Sequence, residues 1–482
     1  MANHSVHQHN AREGAFDVLS QIEDGAYANL ALDAWLEGPG RGLTHADKRL
    51  ATELVFGVVK NRLTLDWIID RRVEKLNRLR TGPRIILRLG LFQLCYLDKI
   101  PARAAVYEAV ELAGRRFNRG AASLVNAVFR GMLRDKLVVA WPDEKQDPAQ
   151  YLSVRFSHPL WMAERWLARY GMEDAQAFCQ YNNAPAPLWI RANTLRVTPE
   201  SLAGRLQGEG CRVEPGSFAP EALRLQGSPG IRNLASFQEG LFTVQDESSM
   251  LAAHALAPLP GQSVLDLCAA PGGKATHLAQ LMGDRGAVAA WDIHPHRVEL
   301  IREAQRRLGI RCIEALCKDA SAQPDGQPES CLYDRILVDA PCSGLGVLRR
   351  RADARWNRKP EDIPRLAGVQ EKILRNALSM LAPGGRLLYC TCTTEPEENR
   401  LLIEKVLADS PGCTKGLLSL PALRDCPGRE PAGGWDIQLL PFIHGLEGFY
   451  MAAIEKPGRQ SFRPSGIGTA CDTTGGLGGS HG

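Results

Sequence analysis

Apolar residues recur at helical spacing through residues 1–140. Leu50, Ala51, Leu54, Val55, Val58 and Val59 share one face, downstream of a Thr44 to Asp47 pair spaced to cap a helix N-terminus. The same spacing returns over Ile85 to Leu97 and Ala104 to Ala113, so the stretch predicts an all-α unit. Near residue 140 the pattern breaks. Trp141-Pro142-Asp143-Glu144-Lys145-Gln146-Asp147-Pro148 is polar and proline-flanked, as linkers are, and a second unit is expected from residue 141. A helix is predicted over Trp161 to Tyr181. After it, Leu188 to Ile190, Leu223 to Leu225 and Leu241 to Val244 alternate with glycine and proline, which predicts a small α+β region reaching residue 240.

From about residue 262 the rhythm changes again. SVLDL, AVAAWD, RILVDAP and GRLLYCTCT are strand-like runs with helical stretches between them, so residues 241–457 predict an α/β doubly wound parallel sheet. Residues 458–482 are rich in Gly, Ser, Thr and Pro and read as a disordered tail. Ligands of such sheets sit beyond the carboxyl ends of the strands, which directs attention to the residues that end each run. The first run leads into Asp266-Leu267-Cys268-Ala269-Ala270-Pro271-Gly272-Gly273-Lys274, a small-residue turn opening a helix; it is not a GxGxxG turn. Asp292 ends the second run, where a carboxylate accepts both hydroxyls of a ribose. Asp319 follows the third and Asp339 ends the fourth. Several acids at one crevice disfavour a phosphate-rich ligand and suit an adenosine carrying a sulfonium cation better than a pyrophosphate.

Cys342 lies just after Asp339, and Cys392 ends the fifth run, so both thiols are expected at the same crevice. Single buried cysteines are commonly inert, but a thiol in a tight loop at a switch point is placed to meet a ligand. Carbon 5 of cytosine is a poor nucleophile. Adding a thiolate at carbon 6 turns the ring into an enamine whose carbon 5 attacks an electrophilic methyl group. A nearby acid such as Asp339 would hold N3 as charge develops, if its site favours the protonated form, and a second thiol would assist release.

Composition adds limits rather than direction. The 482-residue chain is 44% hydrophobic and 23% charged, room for two or three domains, and its net charge of +4 permits a nucleic-acid partner without demanding one. Thirteen cysteines, an odd number, and an N-terminus with neither a charged n-region nor an apolar h-region predict a cytoplasmic protein with reduced thiols. No apolar run has membrane-spanning length. No metal is expected, because the nearest cysteine pair, Cys390 and Cys392, falls in a strand-like run and not in a CxxC turn. Arg71, Arg72, Arg78, Arg80, Arg115, Arg116 and Arg119 read either as a solvated helix face or as a phosphate groove. Six cations and one acid lie between Arg349 and Lys359 around Trp356, which suits phosphate contact and base stacking, or a solvated loop.

Three motifs, YDRILVDAPCSG from Tyr333, DLCAAPGGK from Asp266 and TCTTEPEEN from Thr391, resemble those of the RNA cytosine-5 methyltransferase family. A NusB-like helical region before the catalytic region is, more narrowly, the arrangement of its bacterial 16S ribosomal RNA branch, and the resemblance covers residues 5–455. It implies a class I, Rossmann-like domain using S-adenosyl-L-methionine, with 16S ribosomal RNA, unassembled or partly assembled, as partner. It implies Cys392 as nucleophile, Cys342 in product release and Asp339 at N3 of the base. DNA cytosine-5 methyltransferases use the proline-cysteine thiol instead, so the two roles are a branch point. The cofactor positions carry over to Cys268, Ala269, Ala270, Pro271, Gly272, Gly273, Lys274, Asp292, Asp319 and Asp339. RNA contacts are implied for Arg191, Asn193, Arg349, Arg350, Arg355 and Trp356. Two departures stand out: Cys390 replaces a small residue, and Arg351 follows the arginine pair where a His-Pro pair is usual. A transfer-RNA enzyme of the same chemistry and a non-catalytic RNA-binding assembly factor are the alternatives.

Overall fold

A computed structural model describes residues 10–73, 79–228, 230–322, 332–423 and 434–458. Arg78 and nearly all of the expected tail lie outside them.

The first unit is helical, as its periodicity requires. Thr44 accepts a hydrogen bond from the Asp47 N–H at 3.1 Å and starts the helix His45–Lys60, which buries Ala51, Leu54, Val55, Val58 and Val59. This face packs in one core with Ile85, Ile86, Leu87, Leu89 and Leu91 of the helix Thr81–Tyr96. Three of the surface arginines are matched by acids: Arg115 pairs with Glu13 at 3.1 Å, Arg116 with Asp17 at 2.8 Å, and Arg72 with Asp135.

The stretch expected to be a linker is docked. Trp141 packs on the helical core, the Arg155 guanidinium lies 4.8 Å from its ring centroid, and the Trp67 indole donates to the Ala140 carbonyl at 3.0 Å. Burying an aromatic of this size outweighs the polar composition of its neighbours. The helix Leu160–Asn183 follows, broken at Gly171, whose φ of 76° is left-handed. It leads into a four-stranded antiparallel sheet of β1 (Leu188–Ala192), β2 (Arg212–Pro215), β3 (Ala222–Gln226) and β4 (Phe242–Val244), ordered β2-β3-β1-β4.

The larger sheet contains β5 (Ser263–Asp266), β6 (Ala287–Asp292), β7 (Ile313–Cys317), β8 (Tyr333–Asp339), β9 (Leu381–Thr391), β10 (Thr414–Lys415), β11 (Asp436–Leu439) and β12 (Phe449–Glu455). Its order is β10-β12-β9-β8-β5-β6-β7, with β11 on β12. Strands β5 to β9 are parallel, and β12 runs antiparallel to β9. The doubly wound α/β expectation is therefore met. From β5 the chain winds one way to β6 and β7; β8 and β9 lie on its other side, so the switch point falls between β5 and β8. The register pairs Asp266 with Leu337 and Asp339 with Cys390, which brings the ends of β5, β8 and β9 to one edge. Among the described residues no helix is long and apolar enough to cross a membrane.

Candidate active site

At that edge, Asp266 is fully buried, and burial followed by the nearby Asp339 raises its carboxyl to about 7. Gly272 caps the helix Gly273–Leu281 at φ +99°, where a Cβ would approach the Ile301 Cα at 3.2 Å, so only glycine serves there. Asp292 holds the His294 N–H at 3.0 Å, and Asp319 the Ser321 N–H at 2.8 Å. Cys268 stands among Asp266, Asp339, Asp292 and Asp319; burial, then these four acids, push its thiol well up. Four acids around one small-residue turn, with Lys274 as the one cation built into it, leave a strand edge that favours a positively charged ligand.

Lys274 donates to Asp339 Oδ2 at 2.7 Å. Burial works against its charge, but the bond and charge of Asp339 outweigh that and hold the ammonium above lysine's ordinary range. Cys390, fully buried, donates to the other Asp339 oxygen at 3.5 Å. Asp339 thus arrives oriented from two sides.

The Cys342 and Cys392 sulfurs are 3.3 Å apart, both half-buried. Their hydrogen bond lowers the Cys392 thiol, with the Arg351 charge acting the same way and burial opposing; it raises Cys342, with burial adding to it. An ionised sulfur in this pair is stabilised by the S–H of the other, and the Arg351 charge favours Cys392 as the ionised one.

Both thiol loops are held rigidly. The Ser343 N–H donates to buried Glu398 at 2.8 Å, the Ser343 hydroxyl donates to the same carboxylate, and the Gln370 amide donates to it at 2.8 Å and to the Pro341 carbonyl at 2.9 Å. The Gly346 N–H donates to the Cys392 carbonyl at 3.0 Å. Arg169 reaches the Thr394 carbonyl at 2.6 Å, and Arg165 and Arg169 both pair with buried Glu395. This network was not foreseen; the acids of TCTTEPEEN were its visible signal.

Comparison with known proteins identifies the architecture. The family model described as 16S rRNA methyltransferase RsmB/F matches residues 253–455, a NusB family model matches 9–134, and a ferredoxin-like domain of the RsmF/B type matches 158–232. A probable ribosomal RNA small subunit methyltransferase B of Bacillus subtilis (strain 168) is 38% identical over 93% of this chain and 99% of its own. The chain belongs to the 16S rRNA methyltransferase RsmB/F family. The ribosomal RNA small subunit methyltransferase B of Escherichia coli O1:K1 / APEC is 34% identical over 89% of this chain and 97% of its own. The crystal structure of PH0851 superposes with a TM-score of 0.77 at 27% identity, covering 92% of this chain and 98% of that one. A methyltransferase homolog protein from Pyrococcus horikoshii gives 0.55 at 31% identity, over 63% and 97%.

Within this RsmB/F-family chain, Cys268 to Lys274, Asp292, Asp319, Asp339, Cys342 and Cys392 gather at one crevice. The expected RNA-contact residues do not. Arg191 is fully buried and donates to Gln280 Oε1 at 2.9 Å, the Gly273 carbonyl at 2.6 Å, Thr276 Oγ1 at 2.9 Å and Gln245. Asn193, equally buried, donates to the Gly240 and Leu308 carbonyls at 2.8 and 2.9 Å. Both fasten the small sheet to the catalytic unit. Arg355 is fully buried against the Ser157 carbonyl at 3.0 Å and Asn183 Oδ1 at 2.8 Å, and the Trp356 indole donates to the Val59 carbonyl at 2.8 Å. Arg349 donates to the Ala184 carbonyl at 3.3 Å and to that of Pro185; Arg350 donates to the Pro187 carbonyl at 3.0 Å and pairs with Asp246 and Glu447. The cause is Ala184-Pro185-Ala186-Pro187: its prolines lack N–H groups and cannot sustain regular pairing, so arginines satisfy its carbonyls. Full burial overturns the expectation for Arg191, Asn193 and Arg355, while half-buried Arg349, Arg350 and Trp356 are engaged with acceptors of the protein itself.

A Glu221, His254 and His277 cluster beside Arg191 also went unforeseen. The Glu221 carboxylate meets the His254 and His277 Nε2 atoms at 2.9 and 2.7 Å.

Proposed function

We propose that the chain methylates carbon 5 of a cytosine in 16S ribosomal RNA, with S-adenosyl-L-methionine as donor and Cys392 as nucleophile. The observation that carries this reading is the Cys342–Cys392 pair, its sulfurs 3.3 Å apart, beside the Lys274–Asp339 pair at the acid-lined strand edge. When bound, the cofactor supplies an electrophilic methyl group. Asp292 would hold its ribose hydroxyls, Cys268 to Lys274 would line it, and the surrounding acids suit its sulfonium charge.

The Cys392 thiolate adds to carbon 6, forming the C–S bond while the ring's 5,6 electrons shift toward carbon 5 and N3. Asp339, oriented by Lys274 and Cys390, accepts from the exocyclic amine beside N3, and the Lys274 ammonium offsets the negative charge that develops along that edge. Carbon 5 then takes the methyl group. Loss of the carbon 5 proton to a base re-forms the double bond and expels Cys392, and the Cys342 S–H stabilises the departing thiolate. A stacked base cannot reach this recess, so the target cytosine is flipped or unpaired.

The test is transfer of labelled methyl from S-adenosyl-L-methionine to unmodified 16S ribosomal RNA and, separately, to bulk transfer RNA, followed by nucleoside analysis. The reading expects 5-methylcytidine in ribosomal RNA alone. Label in transfer RNA alone would move the substrate, and label in neither would leave a non-catalytic assembly factor.

A further inference from the structure

Six cations lie between Arg349 and Lys359, and four of them serve the protein itself. Arg349, Arg350 and Arg355 are bound to the interdomain carbonyls and acids described above. Arg358 donates to the Ser343 carbonyl at 2.9 Å and reaches that of Cys342 at 3.5 Å. Arg351 differs. It is exposed, and among the described residues its guanidinium has no hydrogen-bond or ion-pair partner. Lys359 is exposed as well, at the approach to the helix Asp362–Ser379. Of these two, Arg351 belongs to the turn that touches the nucleophile loop: its N–H donates to the Val347 carbonyl at 3.1 Å, and Gly346 of the same turn donates to the Cys392 carbonyl.

The chemistry of the attack says what should stand there. In a nucleotide with the base in its ordinary anti orientation, the carbon 6 edge of a pyrimidine faces the sugar's 5′ side. A thiolate brought to carbon 6 therefore approaches the 5′ phosphate, and the two negative charges repel unless a cation lies between them. We propose that Arg351 is that cation, binding the 5′ phosphate of the target cytidine at the mouth of the thiol pair. The proposal rests on the assignment of Cys392 as a nucleophile toward RNA. Before RNA arrives, the Arg351 charge already supports the Cys392 thiolate.

The experiment compares the wild type with Arg351→Gln and Arg351→Lys in the full-length chain. Arg306→Gln is the control, since Arg306 lies on the outer helix Pro295–Leu308 and pairs with Glu299 at 2.8 Å. Methyl transfer to unmodified 16S ribosomal RNA is followed across salt concentrations. Separately, peptide-resolved alkylation of Cys392 by iodoacetamide is followed across pH without RNA or cofactor. Arg351→Gln should raise KM about tenfold, as loss of one charge-assisted phosphate contact does. It should also make the log KM against log salt slope shallower by about 0.7, and move the alkylation midpoint upward. Arg351→Lys should keep the midpoint while losing part of the affinity, because it keeps the charge and loses the fork. A raised KM with unchanged salt slope, or no change in KM, overturns the phosphate contact; an unchanged midpoint overturns the support of the thiolate. A wild type that methylates no RNA would instead defeat the functional reading, and the alkylation midpoint would still report on Arg351.

Discussion

Replacing Cys342 with alanine separates the two thiols. In the structure its S–H lies 3.3 Å from the Cys392 sulfur and is the largest influence lowering that thiol. A hydrogen bond to a charged group contributes about 1.5–3 kcal/mol. Its loss should therefore move the Cys392 alkylation midpoint upward and slow alkylation near neutrality about tenfold or more. The sign follows from the charge: the donor favours the thiolate, so without it the thiol holds its proton to higher pH and reacts more slowly near neutrality. Release should suffer as well, since the departing sulfur loses its donor. Cys342→Ala should thus form its adduct slowly but retain it, giving a denaturant-stable protein–RNA band, whereas Cys392→Ala forms neither adduct nor product. Cys342→Ser, which keeps a donor, should fall between wild type and alanine. An adduct in Cys392→Ala, or a Cys392 midpoint unmoved in Cys342→Ala, would refute the reasoning.

Arg191→Met should cost about 3 kcal/mol by leaving buried acceptors unpaired. That lowers Tm by roughly 6–12 °C, while the salt dependence of RNA binding stays unchanged; a shallower salt slope at constant Tm would restore Arg191 to the RNA surface. Asp266 has its carboxyl raised by burial and Asp339 from 3.8 to about 7, so its contribution to stability is full below 3.8 and is lost as pH climbs through 7. Asp266→Asn should therefore raise Tm relative to wild type at pH about 8 but not near pH 4, and bind the sulfonium cofactor more weakly; parallel Tm curves across pH would count against it. Peroxide should inactivate in two steps. The Cys392 thiolate takes the peroxide's terminal oxygen to become a sulfenic acid, and the Cys342 thiol then displaces water to form a disulfide that dithiothreitol reverses. Peptide mapping that finds only higher oxides of Cys392, without the Cys342 cross-link, would refute this.

The legible part of this protein is the part that its local rhythm determines. Parallel strands place their last residues at one edge, so Asp266, Asp292, Asp339 and Cys392 could be gathered from sequence once the runs were recognised. The arginines could not, because a long cation's destination depends on acceptors far along the chain. Arg191 ends on Gln280, 89 residues away, and Arg350 on Asp246, 104 residues away. Nothing in the run Arg349-Arg350-Arg351 distinguishes its members, yet two turn inward to proline-flanked carbonyls and one outward beside the thiols. The usable signal lay elsewhere, in Ala184-Pro185-Ala186-Pro187, a segment with carbonyls to satisfy and few N–H groups to pair. A basic cluster in sequence therefore has to be weighed against the unsatisfied backbone its own chain presents before it is read as a nucleic-acid surface.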